Sequence, residues 1–182
     1  MVAVSAIFTF DVRRAAHGAP ANICEREMAQ AAKTYDVPLA LLYAVGMTET
    51  GQRGSLHPYA LNIEGPSFFG DNLEDALRRF DEARRSGARL IDIGCMQINF
   101  YFHSNRFPSP AAMFNPHENV TYAARFLKEL KEREGSWTLA AARYHAGPGN
   151  IQAQKRYVCQ VIANMVASGF GAWTANATAF CH

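Results

Sequence analysis

The sequence predicts a mainly α domain with one small β excursion, and three observations carry that reading. Apolar residues recur at helical spacing through most of the chain. Three segments, Asn22-Ile-Cys-Glu25, Asp71-Asn-Leu-Glu74 and Asn115-Pro-His-Glu118, are capping boxes that open helices. From Ser55 to Gly70 the helical period is lost in short runs punctuated by Pro58, Gly65 and Pro66, and Leu90 to Asn99 is a further extended run. A chain of 182 residues with 49% hydrophobic and 19% charged residues fits one folded domain.

Residues 1–21 are set apart as a degenerate signal peptide or a disordered arm, leaving 22–182 as the single domain. Val2 to Phe10 is a short apolar run and Ala19-Pro20-Ala21 has small-residue cleavage character, but Arg13 and Arg14 follow the apolar run instead of preceding it.

The first helix is expected from Asn22 to about Tyr35. The second starts at Asp36 as N-cap, tolerates Pro38 in its first turn and stops at Gly51. Leu39, Leu41, Leu42, Tyr43, Val45 and Met47 leave it almost no polar face, so it is expected to be buried on most sides. Short strands are expected at 59–63 and 67–69. A helix then follows the Asp71 box, with Leu73, Leu77 and Phe80 inward and Arg78, Arg79, Arg84 and Arg85 in water. Leu90 to Asn99 reads as one strand. The Asn115 box opens a helix with Pro116 at its first position and Val120, Ala123, Ala124, Leu127 and Leu130 on one face. Ser136 caps a short helix ending at Ala146-Gly147-Pro148-Gly149. The last long helix runs from about Asn150 to Ala167 with Ile151, Val158, Ile162, Met165 and Val166 inward, before a tail rich in Gly, Ala, Thr and Asn.

Composition excludes several classes. A net charge of +2 is too mild for a nucleic-acid binder, and no apolar run approaches the roughly 20 residues of a membrane-spanning helix. Cys24, Cys95, Cys159 and Cys181 lack the spacing of a zinc site, so no metal is expected. Their even number, with Cys181 placed to staple the tail, points to disulfides and an oxidising compartment. Three pairings remain open.

Chemistry concentrates at Glu49, the only acid in the last turns of the apolar helix. The negative end of the helix dipole and a desolvating core both raise a carboxylate's pKa, which suits a general acid near neutral pH. Two further polar segments interrupt apolar text: Gly94-Cys95-Met96-Gln97-Ile98-Asn99 and Tyr144-His145-Ala146-Gly147-Pro148-Gly149-Asn150. Taken singly, each is weak. A Gln in a strand is often an edge residue, and Tyr-x-Ala-Gly at a helix end is often a C-cap.

Together and in this order, Glu49-Thr50, Gly94 to Ile98, Asn115-Pro116-His117-Glu118-Asn119 and Tyr144 to Gly147 resemble the soluble-type lytic transglycosylases. This is glycoside hydrolase family 23, whose core is lysozyme-like, and the resemblance spans residues 22–167. It implies a peptidoglycan lytic transglycosylase that cuts between N-acetylmuramic acid and N-acetylglucosamine. Glu49 is then the single acid/base: it protonates the glycosidic oxygen and afterwards takes the proton from the muramyl C6 hydroxyl, closing a 1,6-anhydro ring.

The resemblance further implies substrate-binding roles for Thr50, Met96, Gln97, Asn99, Tyr144 and His145. Asn119 is expected to be structural, and Asn99 serves equally as a cleft donor or a turn residue. Tyr59, Asn62 and Phe69 stand where an added cleft wall would lie. No cofactor is implied. The expected partners are peptidoglycan glycan strands and, from size and fold, an envelope-spanning machine such as a secretion system or flagellum. The expected protein is a monomer in the periplasm or outside the cell.

Three departures bear on these expectations. Thr50 replaces the family Ser but keeps a hydroxyl. His145 replaces the family Asn, which puts that amide contact in doubt and brings a titrating imidazole toward the cleft. The long segment from Ser55 to Ile93 replaces a short one, so glycan length preference and endo or exo action do not carry over. Two rivals stand beside this reading. One is a goose-lysozyme-type hydrolase, with Asp92 or the more remote Glu64 as second carboxylate. The other is a non-catalytic glycan-binding protein.

Overall fold

The computed structural model describes residues 22–50, 55–147 and 149–182. The N-terminal segment and Gly51 lie outside the described residues, so the expected arm and the expected stop at Gly51 do too.

The chain order is α1 (Ile23–Tyr35), α2 (Leu39–Thr50), β1 (Ala60–Ile63), β2 (Ser67–Phe69), α3 (Leu73–Arg85), β3 (Ile91–Ile93), β4 (Ile98–Asn99), α4 (Phe100–His103), α5 (Pro110–Phe114), α6 (Pro116–Glu134), α7 (Trp137–His145), α8 (Ile151–Ala167) and α9 (Ala175–Cys181). A 3₁₀ turn, Ser104–Arg106, joins α4 toward α5. The four short strands form one antiparallel sheet in the order β2-β1-β3-β4. The fold is mainly α, as expected.

Local chemistry explains most boundaries. Asn22 caps α1 through a complete capping box with Glu25. Asn115 and Ser136 cap α6 and α7, Pro116 occupies the first turn of α6, and Gly135 ends α6 with φ +84°.

Five expectations are corrected. Asp36 does not open α2; it closes α1 in the left-handed conformation (φ 53°), and the Pro38 carbonyl accepts the first hydrogen bonds of α2, donated by the Leu41 and Leu42 amides. The cap of α3 is Asn72, one residue later than expected, accepting from the Asp75 amide. The run Leu90 to Asn99 is not one strand but a hairpin, β3 and β4 folded about Gly94–Gln97. Ile151 is exposed, because it lies at the first turn of α8, and the buried face is Tyr157, Val158 and Val161. Finally, the polar tail ends in a helix, α9, which the Cys159–Cys181 disulfide clamps to α8.

The core sits around α2, which packs against α8 on one side and α1 on another, while α6 packs on α1 and α7. Leu41, Leu42, Ala44, Val45 and Gly46 of α2 are all buried. Each large side chain buried here stabilises the fold by roughly 1.5–3 kcal/mol. Gly46 allows α1 to approach: a Cβ there would stand 2.5 Å from the Met28 methyl. The other disulfide, Cys24–Cys95, ties α1 to the turn between β3 and β4, and both cysteines are fully buried. Of the three possible pairings, the structure thus adopts Cys24–Cys95 with Cys159–Cys181.

Candidate active site

Glu49 lies in the last turn of α2, at the edge of the apolar core, and faces a cavity of about 250 Å³. The same cavity is lined by Asp92 and Asn99 from the sheet, Gln97 from the turn, and Tyr144 and His145 from the end of α7. Three segments far apart in sequence therefore meet at one carboxylate. Glu49 keeps some solvent contact, yet protein encloses its carboxyl closely. Burial is the main cause that lifts its pKa to about 7, with the charge of Asp92 adding to the rise. A hydrogen bond of 2.6 Å donated by the Tyr157 hydroxyl to Oε1 acts the other way, by stabilising the carboxylate.

Tyr157 was not singled out by sequence reasoning. It sits on the buried face of α8, which packs directly on α2, and is only 5% exposed. The available signal was the helical period that puts it beside Val158 and Val161, but that pattern marks a core position and not a carboxylate's partner. His145 stacks flat on its ring, with centroids 4.3 Å apart and planes 6° from parallel. Burial, with Arg156 contributing, lowers the His145 pKa, so its imidazole is largely neutral at pH 7. His103, Phe102 and Phe126 also line the cavity, from segments without any motif.

The turn that carries Gln97 is built by one buried amide. The Asn119 side chain accepts from the Met96 amide at 2.9 Å and donates to the carbonyls of Ile93 (2.9 Å) and Met113 (2.8 Å). This clamp leaves no room beside Gly94, whose φ is +80° and where a Cβ would lie 2.7 Å from Asn119 Nδ2. Asn119 is structural, as expected. Gln97 takes φ 47°, a conformation uncommon for a residue with a side chain. Its Nε2 donates to the carbonyls of Gly94 and Ala60, which fixes the amide at the cavity wall.

The remaining expected residues divide. Tyr144 is at the wall, donating from its hydroxyl to the Met96 carbonyl at 2.8 Å, so it braces the turn against α7. Its phenol is pushed well above the usual range, first by burial and then by the charge of Glu49, and it remains neutral. Asn99 lines the cavity and also caps α4 through its Oδ1, while its Nδ2 donates to Asp92 Oδ1 at 2.6 Å. Burial raises the Asp92 pKa and that bond lowers it. Met96 and Thr50 are not among the lining residues. Met96 is fully buried, and the Thr50 hydroxyl, 2% exposed, faces the carbonyls of Gly46 and Cys95. Tyr59 packs on the core, Asn62 closes the turn at Gly65, and Phe69 meets His57 edge-on; none lines this cavity. Glu64 accepts from the Arg89 amide and is not part of the cavity.

Among the described residues no helix is long and apolar enough to cross a membrane. A family model described as the transglycosylase SLT domain matches residues 27–164. Searches of curated proteins and of solved structures returned no match. The family match runs from within α1 to within α8 and takes in Glu49, the Gly94–Gln97 turn, Tyr144 and Tyr157. Covering well over half of the chain, it shows that the protein belongs to the transglycosylase SLT domain family, the lytic transglycosylases of peptidoglycan, on a mainly α, lysozyme-like fold.

Proposed function

We propose that the protein cleaves the β-1,4 bond between N-acetylmuramic acid and N-acetylglucosamine, leaves a 1,6-anhydro-muramyl end, and uses Glu49 as its single acid/base. The observation that carries this reading is the Glu49 carboxyl, held near pKa 7 beside a cavity and bonded through Oε1 by Tyr157. Near neutral pH both of its protonation states are populated, which is what a group that must first give and then take a proton requires. With Oε1 occupied by the Tyr157 hydroxyl, the transferred proton travels on the other oxygen.

The first step breaks the C1–O bond as Glu49 protonates the leaving oxygen. The second forms the bond from the C6 oxygen to C1, and its proton goes to the Glu49 carboxylate, which restores the starting acid. No water enters. The nucleophile belongs to the same sugar, so positioning replaces the assistance of a second carboxylate. In this scheme Gln97, Asn99, Tyr144 and His145 bind the glycan at the cavity wall. Thr50 and Met96 then serve the substrate indirectly, by setting the backbone of α2 and of the turn.

Asp92 favours a second reading, an inverting hydrolase, because it shares the cavity and its own pKa is raised. Its engagement with Asn99 across the β3–β4 pair is the argument against a free water-activating base. Mass spectrometry of soluble products from purified sacculi separates the readings. Anhydro-muropeptides from the wild type and none from Glu49→Gln are expected. Products heavier by one water would replace the transglycosylase with the hydrolase. Intact binding without products from either protein would leave a glycan-binding protein.

Two disulfides fit an oxidising location, so the envelope or the exterior is the proposed site of action, with the protein acting there as a monomer. Service to an envelope-spanning machine is proposed from size and fold only. A gene neighbourhood and interaction set without any such machine would count against it.

A further inference from the structure

A second, larger chamber of about 550 Å³ opens beside the catalytic cavity. Phe102, His103 and Phe126 line both, so the two are continuous. Phe102, on α4, is 65% exposed although Tyr101 and His103 meet its ring edge-on, which leaves a phenyl platform at the seam. Beyond it the character of the wall changes from amide and phenol to charge: Arg106 ends the 3₁₀ turn after α4, and Arg125 and Glu129 come from α6.

Like Arg84, Arg85, Arg89 and Arg156, the two arginines lack a carboxylate ion pair among the described residues, and they differ from these in lining the chamber. Arg78, Arg79, Arg133 and Arg143 are ion-paired with neighbouring carboxylates. Both guanidinium groups, and Glu129 with opposite sign, act on the Tyr122 phenol, which lines the chamber with them. That hydroxyl is 2.8 Å from His103 Nδ1. Burial, with Arg106 contributing, lowers the His103 pKa, so the imidazole adds little charge at pH 7 and the chamber keeps a net positive wall.

Neutral glycan does not call for such a wall, since amino sugars bearing acetyl groups offer hydroxyls and amides. The anions of peptidoglycan belong to the peptide stems, which branch from the muramyl residue whose bond is broken. We propose that this second chamber is a subsite for the carboxylates of a peptide stem, bound by Arg106 and Arg125. The assignment rests on the reading of peptidoglycan as substrate. A stem seated there places its muramyl ring over the seam and draws the glycosidic bond toward Glu49, so the enzyme prefers peptide-bearing strands to bare glycan.

The test is binding to the full chain carrying Glu49→Gln, so that turnover plays no part. Glycan strands bearing tetrapeptides are compared with the same strands stripped by an amidase, in which the muramyl residues keep only the short lactyl carboxylate. Tighter binding to peptide-bearing strands is expected, with the preference reduced about threefold by Arg106→Gln or Arg125→Gln and about tenfold by both. Arg79→Gln, on the outer face of α3, is the control and should leave the preference unchanged. Equal binding of the two strands by the parent overturns the subsite while leaving the catalytic reading intact. A preference that survives in the double variant overturns it as well. So does an equal loss of affinity for polyglutamate, which would mean a general attraction to anions. Failure to bind either strand would sink the peptidoglycan reading and the subsite with it.

Discussion

The Tyr157 hydroxyl donates a 2.6 Å hydrogen bond to Oε1 of Glu49, joining α8 to α2 across 108 residues. This bond is the influence that keeps the Glu49 pKa from rising further under burial. In Tyr157→Phe the carboxylate loses its stabilising donor and its pKa moves above about 7. The first chemical step needs the protonated acid, so wild-type kcat falls as pH rises through that pKa. The alkaline limb of the variant's kcat profile should shift upward by about 0.5–1 unit, with kcat at its maximum reduced about tenfold. An alkaline limb that stays in place would show that the bond does not tune the acid.

The same pKa has a stability consequence. Glu49 has a folded pKa of about 7 against an ordinary 4.5, so the folded chain holds a proton in that interval that the unfolded chain has released. This group's contribution to stability is greatest below pH 4.5 and declines as pH rises through 7, by up to about 3 kcal/mol. Glu49→Gln mimics the protonated form at every pH. It should therefore match the wild type in urea unfolding at pH 4 and exceed it by about 2–3 kcal/mol at pH 8. A pH-independent difference would remove Glu49 as the origin.

Asn119 satisfies three backbone groups that would otherwise be buried without partners. Asn119→Leu keeps the branched shape, adds some bulk, and strands the Met96 amide and the Ile93 and Met113 carbonyls. A loss of about 3 kcal/mol or more is expected in urea unfolding, with kcat falling further than stability alone requires because Gln97 and the Met96 carbonyl move. Stability within 1 kcal/mol of wild type would contradict the clamp.

Legibility in the sequence followed the range of the forces involved. Caps act over three residues, so the Asn22, Asn115 and Ser136 starts were readable from the chain. Glu49 was readable because its own helix supplies the desolvation. The Gly94–Gln97 turn was not, since its shape depends on an amide 25 residues further on, and an apolar run with one glycine reads as a strand. Asp36 misled for a similar reason: a good N-cap residue is also tolerant of the left-handed conformation in which it ends α1. Tyr157 escaped because a tyrosine on an apolar helix face announces burial, and only the packing of α8 on α2 shows where its hydroxyl goes. Thr50 was expected at the cleft from its place beside Glu49. One residue of helix rotation turns it by about 100°, into the core.

The Cys24–Cys95 bond closes residues 24 to 95 into a covalent ring, and Glu49 lies inside it together with α3 and the β1–β2 hairpin, whose turn is exposed. A single proteolytic cut anywhere in that ring leaves the two fragments joined through sulfur. The helix bearing the carboxylate and the turn bearing Gln97 thus remain one molecule after a nick. A linear chain of the same fold, cut between the two, would hold them together by packing alone.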